Sequence, residues 1–144
     1  MDALTEASCH TERAEPIRPV AEAVLREVGT LLEALARDPM FSDAIDLHSL
    51  PLNDAERAQL RRRLGQGEID AALDLAGPTR ISETAYAGVW WVRHADADDR
   101  TLLEQIVIAR APALLLAHPS DIADAAALLA AELAACPCKE PVDD

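Results

Sequence analysis

At Glu68 the spacing of apolar residues changes from three and four to two, and that change dictates what the chain can fold into. Ile69, Ala71, Leu73 and Leu75 alternate with Glu68, Asp70, Ala72 and Asp74, the pattern of a strand with one wet face. Gly77-Pro78 marks a turn. Thr79 to Ala85 reads as a second strand and Gly88 to Ala95 as a third. Asp96-Ala97-Asp98-Asp99 forms a polar hairpin loop, and Leu102 to Ala109, rich in Ile and Val, returns as a fourth. Successive strands joined by short turns predict an antiparallel meander.

Helical spacing flanks these strands. Val20, Val24, Val28, Leu31, Leu32 and Leu35 form one apolar stripe on a helix expected from about Pro19 to Arg37. Proline suits the first turn, where its missing N–H costs nothing, and Asp38-Pro39 stops the helix. Gly29 lies inside it at a cost of about 1 kcal/mol against alanine. Ala44-Ile45-Asp46-Leu47 is a further short strand candidate. Asn53 and Glu56 resemble a capping box opening a second helix that runs to about Leu64. Gly65-Gln66-Gly67 ends it, and because these glycines follow a helix they are not a phosphate loop. After Pro112 comes a short helical turn, Ala113 to Ala117. Ser120 is then expected to cap a last helix bearing Ile122, Ala126, Leu129 and Leu133 on one face. The expected class is α+β: a four-stranded antiparallel meander, with 44–47 as a candidate extra strand, covered by N- and C-terminal helices. Residues 1–17 are expected to be a disordered acidic segment, 18–135 one domain, and 136–144 a flexible tail.

The third strand holds both tryptophans, and the chain's one tyrosine, Tyr86, lies just before it; only Phe41 is aromatic elsewhere. Adjacent strand residues point to opposite faces. Val89, Trp91 and Arg93 therefore share one face, and Trp90, Val92 and His94 the other. Trp and Arg are enriched among interface anchors, so Tyr86, Val89, Trp91 and Arg93 are the expected partner-binding residues, on a face left uncovered; the alternative is that both tryptophans are covered within the domain, one by the N-terminal helix and one by the C-terminal helix.

Charge and residue inventory exclude several functions. The net charge is −13, and Arg61-Arg62-Arg63, the one basic cluster, points its members in different directions on a helix. Nucleic acid is therefore not an expected partner. No apolar run comes near the ~20 residues of a membrane span, and Met1 to Arg18 lacks the pattern of a signal peptide, so a cytoplasmic protein without membrane insertion is expected. His94 with Asp96 is the best acid–base pair on offer, yet hairpin ends carry such pairs by chance; no catalytic residue, metal site or cofactor is assigned. Cys136-Pro137-Cys138 lacks the Cys-x-x-Cys spacing of zinc and redox sites. An alternative reading is a redox or iron–sulfur-handling protein using Cys136, Cys138 and Cys9.

Three segments occur in order: Ile45-Asp46-Leu47-His48-Ser49-Leu50-Pro51-Leu52, Leu64-Gly65-Gln66-Gly67-Glu68-Ile69, and Gly77-Pro78 through Glu83-Thr84-Ala85-Tyr86-Ala87-Gly88-Val89-Trp90-Trp91-Val92. Over about residues 20–117 this set resembles the C-terminal domain of the HupH/HyaF family of nickel–iron hydrogenase expression/formation proteins. The chain is similar to a single copy of that domain, as in the HupJ/HoxT-type members. The resemblance implies a non-enzymatic accessory or chaperone role in maturing an uptake hydrogenase. It implies as partners the iron–sulfur small-subunit precursor, bound before export with its basic twin-arginine signal, and other maturation proteins. It carries over no catalytic residue, and it assigns nothing to the Cys136–Cys138 tail.

Overall fold

The computed structural model describes residues 16–136; the expectations for residues 1–15, for Cys9 and for Cys138 lie outside them. The described residues divide into two units, one ending at Arg110 and one beginning at Ala111.

The first unit opens with α1 (Pro19–Arg37), whose first turn holds Pro19 as expected. Its stripe buries Ala21, Val24, Val28 and Leu35. Strand β1 (Asp43–Asp46) follows, then α2 (Asp54–Leu64). The capping box forms: the Asn53 side-chain Oδ1 accepts from Glu56 N–H at 2.8 Å, and the Glu56 carboxylate accepts from Asn53 N–H at 3.0 Å. Gly65, with φ of 70°, closes α2 and donates its N–H to Arg61 O. Gln59 is buried and clamps the chain entering α1: its Oε1 accepts from Arg18 N–H at 2.9 Å, and its Nε2 donates to Pro16 O at 3.0 Å. A buried amide satisfied at both ends fixes α1 against α2 without an unpaired polar group.

Strands β2 (Asp70–Asp74), β3 (Pro78–Glu83), β4 (Val89–Ala95) and β5 (Thr101–Ile108) form the expected antiparallel meander. The 44–47 candidate becomes β1 and pairs with β5, Ile45 opposite Ile106. The sheet is thus five-stranded, in the order β1-β5-β4-β3-β2, with the aromatic strand at its centre. Strand β2 is shorter than its alternation suggested; Ile69 and Leu75 fall outside it and are exposed. The β2–β3 turn requires Gly77, where a Cβ would lie 2.1 Å from Ala95 O.

One sheet face packs on the helices. Val89, Trp91, Ile106 and Ile108 share a core with Val24 and Val28 of α1 and with Leu60 and Leu64 of α2. The opposite face gathers Ile81, Trp90, Val92 and Val107, with Ala71 and Leu73 half-buried beside them. Trp90 Nε1 donates to Ala109 O at 3.0 Å.

The second unit contains a 3-10 turn (Ala113–Leu115) and α3 (Pro119–Ala135). The cap lies two residues earlier than expected. His118 Nδ1 accepts from Ser120 N–H at 3.2 Å, because Pro119 takes the first helical position and offers no N–H of its own. Every residue of α3 is exposed, including the Ile122, Leu129 and Leu133 stripe. Within the first unit, the helices that bury the Trp91 face are α1, the expected N-terminal cover, and α2. One correction concerns apolar length. Residues 113–135 are long and apolar enough, by length and composition, to cross a membrane. Within them α3 itself spans 17 residues, about 26 Å at 1.5 Å per residue, against ~30 Å of hydrocarbon. It also carries Asp121, Asp124 and Glu132.

Candidate functional site

The spacing of Arg57 and Arg61, four residues apart on α2, sets both beside the Leu60–Leu64 core stripe and against the sheet. Arg57 forms an ion pair with Glu104 of β5, whose side chain is buried. Arg61 lies over the Trp91 ring, its guanidinium carbon 4.5 Å from the ring centroid, a cation–π geometry. Burial lowers the Arg61 pKa from its ordinary value, with Arg80 and Arg93 as like-charged neighbours and Glu104 and Asp70 opposing.

Beside this stack opens a pocket of about 390 Å³, walled by Arg61, Gln66, Asp70, Arg80, Ser82 and Trp91, among others. Cross-strand register puts Trp91 opposite Ser82 and Arg93 opposite Arg80, so these four side chains leave the sheet on one face. Two arginines directly opposite would repel, and each is met by its own carboxylate. Arg80 Nη2 donates to Asp70 Oδ2 at 2.6 Å, while Arg93 reaches Asp99 at 3.3 Å and donates from Nε to Thr101 Oγ1 at 2.9 Å. The Asp70 carboxyl is held below its usual pKa range, first by the Arg80 hydrogen bond, with Ser82 Oγ adding a second. Trp91 is 2% exposed, and its Nε1–H has no acceptor among the described residues.

A second hollow, of about 300 Å³, is mostly apolar, with Arg63 of α2 also on its wall. Leu25, Gly29 and Leu32 of α1 form one side, and Leu64 and Tyr86 the other. Tyr86 is set there by the turn between β3 and β4. The Thr84 hydroxyl accepts from Tyr86 N–H at 3.2 Å and donates to Val89 O at 2.9 Å. Gly88, with φ of 85°, seats the turn on α1; a Cβ there would meet Leu35 Cδ2 at 2.8 Å.

The expectation of an open Val89–Trp91–Arg93 face is therefore corrected at two positions. Val89 is fully buried and Trp91 almost so, because α1 and α2 lie on them. Arg93 is half-buried and tied to the β4–β5 hairpin, and Tyr86 is 52% exposed at the apolar hollow. The four expected residues do not form one surface. Sequence reasoning missed Arg61, one member of a basic cluster whose side chains point in different directions; the signal was its four-residue step from Arg57 beside the core leucines. His94 and Asp96 do not pair. His94 Nδ1 lies 2.6 Å from Thr79 Oγ1, and the Asp96 carboxylate accepts from the N–H groups of Asp98 and Arg100, each at 2.9 Å. Among the described residues no group of three His, Cys, Asp or Glu side chains is placed to hold a metal, and Cys136 is an exposed free thiol.

Comparison with known proteins gives a consistent set. Residues 20–136 match the region described as "HupH hydrogenase expression protein, C-terminal conserved region". The hydrogenase expression/formation protein HoxQ of Azotobacter vinelandii is 33% identical over 83 residues, and the hydrogenase-1 operon protein HyaF of Escherichia coli (strain K12) is 35% identical over 83 residues. These alignments cover 58% of this chain but only 29% of either relative. Among solved structures, the hydrogenase expression protein HupH from Thiobacillus denitrificans superposes with a TM-score of 0.76 at 34% identity, covering 81% of this chain and 96% of that one.

Proposed function

Because the chain belongs to the family of the HupH hydrogenase expression protein C-terminal conserved region, we propose that it is an accessory, chaperone-like protein in the maturation of a nickel–iron uptake hydrogenase. The match across residues 20–136 is the observation that carries this reading. Its partner is the iron–sulfur small-subunit precursor, held in the cytoplasm before export, with other maturation proteins joining the assembly. The net charge of −13 suits it to a basic export signal. Of the expected residues, Tyr86 at the apolar hollow and Arg93 at the β4–β5 hairpin are the accessible partner contacts. Val89 and Trp91 act from beneath, holding the central strand that sets their positions. The apolar hollow at Tyr86 supplies an aromatic anchor beside half-buried leucines, the composition of a binding hot spot.

Pull-down of the precursor, with and without its N-terminal signal, at low and raised salt, tests the reading. Capture should favour the signal-bearing form and weaken as salt rises, and Tyr86→Ala should reduce capture while leaving the fold intact. Equal, salt-insensitive capture of both forms would sink the electrostatic part. Unchanged capture by Tyr86→Ala would remove the hollow from the partner surface.

A further inference from the structure

The pocket beside Trp91 holds donors without an acceptor. Trp91 is almost wholly buried, and its indole N–H, sealed from solvent, is bonded to nothing among the described residues. A buried donor left unmade costs about 1–3 kcal/mol, so a native fold that keeps one there calls for an explanation. Arg61 brings a planar guanidinium with five N–H groups over the same ring, and no carboxylate forms an ion pair with it among the described residues. The carboxylates of the wall do not fill this gap. Asp70 is taken by Arg80 at 2.6 Å and by Ser82 Oγ at 3.3 Å. Glu83 also lines the pocket; it stands opposite Trp90 in register, and its carboxylate, close beside Gly67, forms no ion pair with Arg61 among the described residues.

From this juxtaposition we infer that the pocket is a recognition site for a single carboxylate, which pairs with the Arg61 guanidinium and accepts the Trp91 indole N–H. The space, about 390 Å³, falls in the range of ligand pockets. The charge requirement selects the class of ligand. Arg80 is already neutralised by Asp70 and Arg57 by Glu104, and Arg62, which also lines the pocket, has an interaction of its own; Arg61 is left to be matched by one negative charge. A monoanion meets that need; a phosphate dianion overshoots it. Arg61 is the part that moves on binding. It is exposed on its outer side and rests on the ring by stacking, so it can lift to admit an oxygen and close on it as a charge-assisted bond. The site lies apart from the apolar hollow at Tyr86, and the inference does not rest on the hydrogenase reading.

The test uses the full chain, labelled with nitrogen-15, and follows the Trp91 indole N–H signal, assigned by its loss in Trp91→Phe. The probes are Ac-Ala-Glu-Ala-NH2, its glutamine counterpart Ac-Ala-Gln-Ala-NH2, acetate and inorganic phosphate. The glutamate peptide should move the Trp91 signal saturably, and the glutamine peptide should not. Acetate matching the peptide would identify a free carboxylate as the ligand; a preference for the peptide would identify an acidic side chain of a polypeptide. Either result supports the site. Arg61→Gln should weaken binding about tenfold or more, as loss of a charged hydrogen-bond partner does. Arg61→Lys should recover part of it, and the remaining amide signals report that both variants stay folded. The inference is overturned if no carboxylate probe moves the indole signal, if Arg61→Gln binds as well as the parent, or if phosphate binds better than both carboxylates.

Discussion

Gly29 stands in the middle of α1, yet nothing in its surroundings demands a glycine. A Cβ built there meets no atom within 4 Å, and its φ is not in the left-handed region. Inside a helix glycine costs about 1 kcal/mol against alanine, so Gly29→Ala should raise stability by about that much. Urea unfolding would show it as a higher midpoint at unchanged slope. A lower midpoint would mean that the helix needs a bare backbone at this position. Because Gly29 also borders the Tyr86 hollow, the same variant separates stability from partner capture. Gly88 is the opposite case: there a positive φ and the nearness of Leu35 both exclude a side chain. The two glycines look alike in a sequence, and only the packing around them tells them apart.

At the level of elements, the β2–β3 pairing is held on one face by Asp70 and Arg80, with Arg80 opposite Ala72 and Asp70 opposite Ser82. The Asp70 carboxyl has a lowered pKa in the folded chain, so its ionised form favours folding. That contribution is complete above the unfolded value, about pH 4, and disappears as pH falls through the lowered folded value. Asp70→Asn should therefore be less stable than the parent at neutral pH, with the gap closing as the solution is acidified below about pH 4. Urea midpoints measured across that range check the sign; a gap that widened toward acid would refute it. The elements themselves were largely legible. Asn53 and Glu56 announced the start of α2, Gly65 its end, and the aspartates after Ala95 the β4–β5 loop. What the local pattern could not carry was partnership. Nothing around Ala44–Leu47 says that it pairs with β5, and nothing around Trp91 says that Arg61 will lie on it. Burial of a strand face depends on which helix arrives from elsewhere in the chain. The adjacency of the tryptophans fixed that they face opposite ways, but not that α1 and α2 would cover the Trp91 side.

For the whole molecule, both core clusters draw their residues from the unit ending at Arg110, while α3 buries none of its own. A chain truncated after Pro112 should therefore still unfold cooperatively. Its midpoint should stay close to that of the full chain, measured by urea titration at matched protein concentration. Loss of cooperative unfolding would mean that the second unit contributes to the core of the first. The carboxylate pocket and the Tyr86 hollow are both lined by residues of the first unit, so both should survive the truncation.

The sheet order has a consequence for the order of events at the ribosome. β1 is made first among the strands but pairs with β5, the last, and the stripe of α1 packs on Val89, Trp91, Ile106 and Ile108. The β2–β5 hairpins are local and can zip as they emerge; α1 and β1 cannot settle until Ile108 has been added. At ~5–20 residues/s the leading helix waits several seconds with its apolar side bare, and the final closure is a long-range step of the slow kind. A nascent chain arrested before β5 should therefore be the form most prone to aggregation.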